Sequence, residues 1–110
     1  MEEAFSKIFT LVTIREIFNI IKECALRNSL KITRVDSSEK STVIMLENVN
    51  CKVIITLMRN NQVIGNSTIK LPRVEMIVFI KAYAREIIDR VKESLSSCIS
   101  EKIFLLRGGG

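Results

Sequence analysis

Residues 30–71 decide the predicted fold, and they run LKITRVDSSEKSTVIMLENVNCKVIITLMRNNQVIGNSTIKL. Apolar and polar residues alternate in four segments of this stretch, and short polar turns separate the segments. Alternation with a period of two places apolar side chains on one face of a β-strand and polar side chains on the other. We therefore expect a four-stranded antiparallel meander, with strands at 30–36, 42–47, Cys51–Arg59 and 63–71.

Helical periodicity marks the segment before this block. Thr13 is followed three residues later by Glu16, which is the pattern of a capping box, so a helix is expected over Ile14–Arg27. Phe5 and Phe9 also stand at helical spacing. That spacing predicts a short helix or a kinked continuation at the start of the chain.

A second helix is expected after the block, over residues 72–97. Pro72 suits the first position of a helix, where its missing N–H needs no partner, and apolar residues follow at helical spacing. The predicted fold is therefore α+β: an N-terminal helix, a four-stranded antiparallel meander and a long C-terminal helix packed on one sheet face. Residues 1–107 would form a single domain, and residues 108–110 a flexible glycine tail.

The chain carries a surplus of apolar residues for its size. Hydrophobic residues make up 47% of the sequence, and the mean hydropathy is +0.25. One small core does not easily hide so much apolar surface, so we expect a homo-oligomer, most simply a homodimer. The expected self-association face lies on the predicted long helix, partly off its core stripe, with packing inside the chain as the alternative. Its residues are Val78, Phe79, Ala82 and Tyr83.

The chain is also basic, with a formal net charge of +5 and a pI of about 9.4. This charge favours polyanionic partners such as nucleic acid, and it equally suits ordinary solubility. The polar face of the predicted sheet is the candidate binding surface, where Lys and Arg would contact phosphates and Thr and Asn would form hydrogen bonds. The candidate residues are Lys31, Thr33, Arg34, Lys52, Thr56, Arg59, Asn66, Thr68 and Lys70.

Two hypotheses about function follow from these patterns. The first is a non-catalytic module that binds RNA or single-stranded DNA with little sequence preference, since no side chain is placed to read a base edge. Against it, no aromatic residue falls on a predicted strand to stack on bases. The alternative is a protein-interaction or scaffold subunit that homodimerises or joins a larger complex. Coverage of Ile54, Met58 and Ile64 by protein would favour the second hypothesis.

Missing residue types argue against several kinds of site. The sequence has no His, no Cys-x-x-Cys pair and no Gly-rich phosphate loop, so we expect no catalysis, metal, cofactor or small-molecule substrate. Cys24, Cys51 and Cys98 stand far apart and are expected to be reduced thiols of a cytoplasmic protein without a signal peptide. No apolar run reaches the roughly 18–20 residues of a membrane span, so no membrane partner is expected.

Overall fold

Seven strands and two helices make up the structure, a computed structural model that describes residues 1–66 and 69–108. The helices are α1 (Ile14–Arg27) and α2 (Arg85–Leu106). The strands are β1 (Glu2–Thr10), β2 (Lys31–Ser37), β3 (Ser41–Glu47), β4 (Cys51–Arg59), β5 (Gln62–Val63), β6 (Lys70–Leu71) and β7 (Arg73–Ala82). Five strands form one antiparallel sheet in the order β1-β7-β4-β3-β2, and β5 and β6 form a separate short hairpin.

The coarse class predicted from the sequence, a small α+β chain with an antiparallel sheet, is confirmed. Strands β2, β3 and β4 form the predicted run of hairpins, with a register shift between Ile32 and Arg34. The predicted architecture of four meander strands between an N-terminal and a long C-terminal helix is wrong. The main sheet has five strands, and two of them come from segments that were predicted to be helical.

The first of these segments is β1, which pairs with β7 over nine residues from Glu2 opposite Lys81 to Thr10 opposite Arg73. A helix was expected here because Phe5 and Phe9 are four residues apart. Four residues also make two full periods of a strand, so both side chains lie on the same face of β1 as well. The spacing therefore fits both structures, and the pairing with β7 decides between them.

The second segment is β7, which was assigned to the start of a helix over residues 72–97. Its even-numbered residues from Val74 to Ala82 are buried, which is the period of a strand. Ile77 and Phe79 are apolar at odd-numbered positions, where a half-buried strand would carry polar residues. The segment therefore reads as a continuous apolar run, which fits a helix as well as a strand. Helix α2 begins only at Arg85 and continues to Leu106.

The predicted strand at 63–71 is reduced to the hairpin of β5 and β6. Gly65 takes a φ of +56° between them, a backbone angle that glycine adopts without steric cost. This hairpin projects from the main sheet, and β7 takes the place beside β4 that the predicted strand would have held.

The helices cover one face of the sheet, called here the inner face. Every second residue of the central strands is buried on this face against apolar side chains of α1 and α2, and these residues form one hydrophobic cluster. Its fully buried large side chains include Ile17, Ile21, Ile44, Leu46, Ile55, Leu57, Met76, Ile80, Ile88, Leu95 and Ile99.

The expected start of α1 is confirmed. The backbone N–H of Glu16 donates to Oγ1 of Thr13 at 3.2 Å, and the backbone N–H of Thr13 donates to Oε1 of Glu16 at 3.0 Å. The two bonds satisfy donors that the first turn of a helix leaves without partners inside the helix.

A disulfide between Cys24 of α1 and Cys98 of α2 joins the two helices, whose linked Cα atoms lie 5.8 Å apart. The expectation that all three cysteines are reduced is therefore wrong. The two residues are 74 positions apart in sequence, and only the packing of one helix beside the other brings them together. Cys51 stays a free thiol in the core, where burial raises its pKa.

Glu3 projects from β1 to the inner face and binds two cations of α2. Its Oε2 lies 2.9 Å from Nζ of Lys92, and its Oε1 accepts a hydrogen bond from Nη1 of Arg85 at 2.9 Å. The hydrogen bond from Lys92, with the positive charges of Lys92 and Arg85, holds the pKa of the Glu3 carboxyl below its ordinary value. These contacts tie the sheet edge to the start of α2.

We expect Thr13→Ala to lower the free energy of unfolding by about 1 kcal/mol, because it removes the side-chain acceptor of the capping box. Denaturant unfolding followed by circular dichroism measures the loss. Thr10→Ala, at an exposed position at the end of β1, is the control and should cost less. Equal losses from both substitutions would contradict a capping role.

We expect one thiol to react with a thiol reagent in the denatured, unreduced protein, and three after reduction. Replacing Cys24 and Cys98 together by Ala should lower the free energy of unfolding by up to about 4 kcal/mol, because the bond closes a long loop in the unfolded chain. Reductant should shift the unfolding midpoint of the wild-type chain and leave that of the double variant unchanged. Three reactive thiols before reduction would contradict the disulfide.

We expect Glu3→Gln to lower the unfolding midpoint at pH 7, because the folded state loses its charged contacts with Arg85 and Lys92. A carboxyl whose pKa is lowered by folding stabilises the protein above its ordinary pKa of 4.5, and the contribution is lost as the pH falls below that value. The difference between variant and wild type should therefore shrink in acid. Glu2→Gln is the control, since the Glu2 carboxylate lies 4.0 Å from Lys81 on the opposite face.

Candidate interaction surface

The face of the sheet turned away from the helices, called here the outer face, is the candidate site. Directly paired residues of antiparallel strands lie on the same face, so the pairing registers define rows that cross the whole sheet. One row at the end of the sheet, called here the charged row, carries only charged side chains. In the order of the strands it consists of Glu2, Lys81, Lys52, Glu47 and Lys31.

Half of the side chains on the rest of the outer face are apolar. Ile8, Met58 and Ile77 are 53%, 41% and 37% exposed, and the other members are half-buried. Both helices lie on the inner face, so neither covers these residues. Because the members come from four adjacent strands, they form one continuous surface, called here the outer patch. It consists of Ile8, Val43, Met45, Ile54, Met58, Ile77 and Phe79.

Charges on the outer face nearly cancel. Within the charged row, Lys52 lies 4.0 Å from Glu47, and Lys81 lies 4.0 Å from Glu2. On β2, Arg34 Nε lies 2.7 Å from Oδ2 of Asp36. Five basic and four acidic residues lie on this face, so its net charge is only +1. The basic ones are Lys31, Arg34, Lys52, Arg73 and Lys81, and the acidic ones are Glu2, Asp36, Glu47 and Glu75.

The structure brings together only some of the residues proposed for nucleic-acid binding. Lys31, Arg34, Lys52 and Thr56 lie on the outer face. Thr33 lies at the register shift of β2, where its hydroxyl donates to the carbonyl oxygen of Met45.

The remaining proposed residues lie away from this surface. Asn66 and Lys70 belong to the β5–β6 hairpin outside the main sheet, and Thr68 lies outside the described residues. Arg59 ends β4 opposite Val74, in the register of the inner face. The sequence had suggested one surface because 63–71 was placed in the sheet beside β4.

Arg59 instead lines a cleft of about 310 Å³ between the start of α1 and the β2–β3 turn. Arg15 and Glu39 line the same cleft, and Ile14, Phe18 and Val35 contribute its apolar wall. The hydroxyls of Ser37, Ser38 and Thr42 complete the lining. This cleft lies on the side of the sheet that carries the helices, so it is separate from the outer patch.

The residues proposed for self-association do not share one surface, because they lie on or beside a strand rather than on a helix. Val78 and Ala82 are buried on the inner face. Phe79 belongs to the outer patch, and Tyr83, which is 76% exposed, lies just past the end of β7. Only Phe79 and Tyr83 are therefore accessible to a partner.

Sequence reasoning missed most of the outer patch, although a signal was present. Val43-Ile44-Met45-Leu46 is apolar at consecutive positions, so whichever face of this strand is buried, the other face is also apolar. Ile54 and Met58 were singled out on β4. Ile77 was missed because β7 was assigned to a helix, where it would belong to the core stripe.

No helix of residues 1–66 and 69–108 is both long and apolar enough to cross a membrane. Within the same two ranges, no group of three or more His, Cys, Asp or Glu side chains could hold a metal ion.

No family model and no curated protein matches the chain. Among solved structures, the crystal structure of Ara h 8.0201 is similar to it with a TM-score of 0.34 and 8% sequence identity, over 94% of this chain and 99% of that chain. A likeness of this degree carries no argument about fold or function.

Proposed function

We propose that this chain is a non-catalytic protein-interaction subunit that self-associates through the outer face of its sheet. The outer patch is the observation that supports the proposal. Phe79, Ile54 and Met45 stand side by side on three adjacent strands, and Ile77 and Val43 occupy the next row. Apolar surface of this extent is removed from water when a protein partner covers it, which is the main driving force of association.

The distribution of charge supports the same proposal. Protein interfaces have an apolar centre with few charges and a polar rim. Here Phe79, Ile54 and Met45 occupy the centre of the sheet. The charged row borders them on one side, and Glu75 lies between Ile8 and Met58 at the far end of the outer patch. Ion pairs at such a rim contribute little affinity and restrict the orientation in which a partner binds.

Binding of RNA or single-stranded DNA is the second candidate function. One observation favours it: Phe79 lies on the outer face near Lys81 and Lys52, and an aromatic ring flanked by cations can stack a base. The net charge of +1 on that face is small for a surface that must attract a phosphate backbone. Nucleic-acid binding therefore ranks second and stays a prediction.

The cytoplasmic location expected from the sequence also stays a proposal. The Cys24–Cys98 disulfide weighs against it, because stable disulfides are rare in cytosolic proteins.

Sedimentation velocity at tens of micromolar tests whether the outer face carries the association. We expect the wild-type chain to sediment as an oligomer and Phe79→Glu to sediment as a monomer, because burying an unpaired carboxylate costs several kcal/mol. Tyr83→Glu is the matched control, an exposed aromatic outside the outer patch, and it should behave as wild type. A monomeric wild type, or an oligomer that Phe79→Glu leaves intact, would contradict the proposal.

Fluorescence anisotropy with a random single-stranded oligonucleotide at low salt forms the second arm of the same experiment. The protein-interaction proposal expects no binding that depends on the outer face. Binding that Lys52→Glu abolishes, together with a monomeric wild type, would replace the proposal by the nucleic-acid hypothesis. A log–log salt dependence with a slope of about −0.7 per phosphate contact would identify that binding as electrostatic.

A further inference from the structure

We infer that the partner on the outer face is a second copy of this chain, related to the first by a two-fold axis that runs parallel to β4. The inference rests on the proposed function and adds the symmetry and orientation of the association. Its basis is the order of charges in the charged row.

Across the strands from β1 to β2, the charged row reads negative, positive, positive, negative, positive. A two-fold axis along β4 turns a second sheet face to face with the first and reverses its strand order, while each row stays opposite itself. β1 then faces β2 of the second copy, β7 faces β3, and β4 faces β4.

This arrangement places opposite charges against each other at four of the five positions. Glu2 faces Lys31 of the second copy, Lys81 faces Glu47, and symmetry repeats both contacts. Only Lys52 faces its own counterpart, and it already lies 4.0 Å from Glu47 within its own chain. The row is therefore complementary to itself under this symmetry.

The same axis also matches the apolar rows. Phe79 comes opposite Met45 of the second copy, and Ile77 comes opposite Val43. On β4 itself, Ile54 and Met58 meet their own counterparts close to the axis. Apolar side chains thus meet apolar side chains across the centre of the interface, as in two sheets packed face to face about 10 Å apart.

The other two-fold axis that lies in the plane of the interface runs perpendicular to the strands, and the match that it gives depends on where it crosses them. It places each strand opposite itself with its direction reversed. If the axis crosses β7 at Ile77, Lys81 lies over Arg73 of the second copy, and Phe79 lies over Glu75. If it crosses between Ile77 and Phe79, Lys81 lies over Glu75, and Phe79 lies over Ile77.

Like charges and an apolar–acidic contact disfavour the first crossing. In the second, Glu2 lies over Ile8, Lys52 over Met58 and Glu47 over Ser41, so only Lys81 of the charged row meets an opposite charge. The pairing of the charged row, four of five members against one, therefore favours the axis along β4.

The area available sets the expected strength. Five strands about 4.8 Å apart and four rows of side chains give an outer face of roughly 400–600 Å² per copy. The total, roughly 1,000 Å², is at the lower limit for a specific interface, so a dimer that dissociates in the micromolar range is expected.

A charge-swap experiment tests the orientation. Lys81→Glu places two carboxylates at each Lys81–Glu47 contact, and Glu47→Lys places two ammonium groups there. Each single variant should therefore dimerise about tenfold more weakly than wild type at low salt. In an equimolar mixture, the two variants restore an opposite-charge contact at both places, so the mixed dimer should return to within about threefold of the wild-type dissociation constant. Sedimentation equilibrium with one variant labelled by a fluorophore measures the mixed dimer.

A matched mixture of Lys81→Glu with Glu2→Lys is the control. Glu2 pairs with Lys81 within the chain, and the control again changes one Lys to Glu and one Glu to Lys. The two positions do not face each other in the proposed dimer. This mixture should stay as weak as its components. The chain that carries Lys81→Glu and Glu47→Lys together should form its own dimer at about wild-type strength. Unfolding midpoints close to wild type verify that all of these exposed variants are folded.

The outcomes separate the inference from the proposed function. If Phe79→Glu disperses the oligomer but the Lys81→Glu and Glu47→Lys mixture shows no recovery, association through the outer face stands and the two-fold axis is overturned. Equal recovery in the control mixture also overturns the axis, because it would reflect net charge alone. If Phe79→Glu leaves the oligomer intact, the outer face is not the interface, and the proposed function fails.

Discussion

The pairing of β7 with two neighbours at once is the constraint on which the rest of the structure depends. β7 exchanges backbone hydrogen bonds with β1 on one side and with β4 on the other, in each case over nine residue pairs. Without it, β1 would have no partner in the sheet and the β2–β3–β4 run would end at an open edge. The position of α2 follows as well, since this helix begins three residues after β7 ends.

Side chains alternate between the two faces of the sheet along these strands. Both faces carry apolar side chains, but only one face is buried. Val74, Met76 and Val78 project to the inner face and are buried under the helices, whereas Ile77 and Phe79 project to the outer face and are left partly exposed. A sheet that is apolar on both faces normally has both faces covered. The proposed association therefore explains the exposed outer patch. The apolar residues that exceed the needs of one core lie on this patch.

Contacts between distant segments hold the helices on the inner face. The disulfide joins α1 to α2, and Glu3 of β1 binds Arg85 and Lys92 in the first half of α2. Each contact joins residues more than 70 positions apart, so none of them has a local sequence signal. The charged row also lacks a local sequence signal. Its five members come from five strands, and only the pairing registers place them side by side.

The sequence by itself determined those elements whose signals are local. The capping box at Thr13 and Glu16 defines the start of α1, and apolar residues at every second position from Cys51 to Leu57 define β4. The tertiary structure decided the conformation of residues 2–10 and 73–82, because their apolar spacing suits a helix and a strand alike and only partner strands can satisfy their backbone groups. It also decided which exposed residues share a surface, because neighbours across a sheet are set by pairing between strands and not by position along the chain.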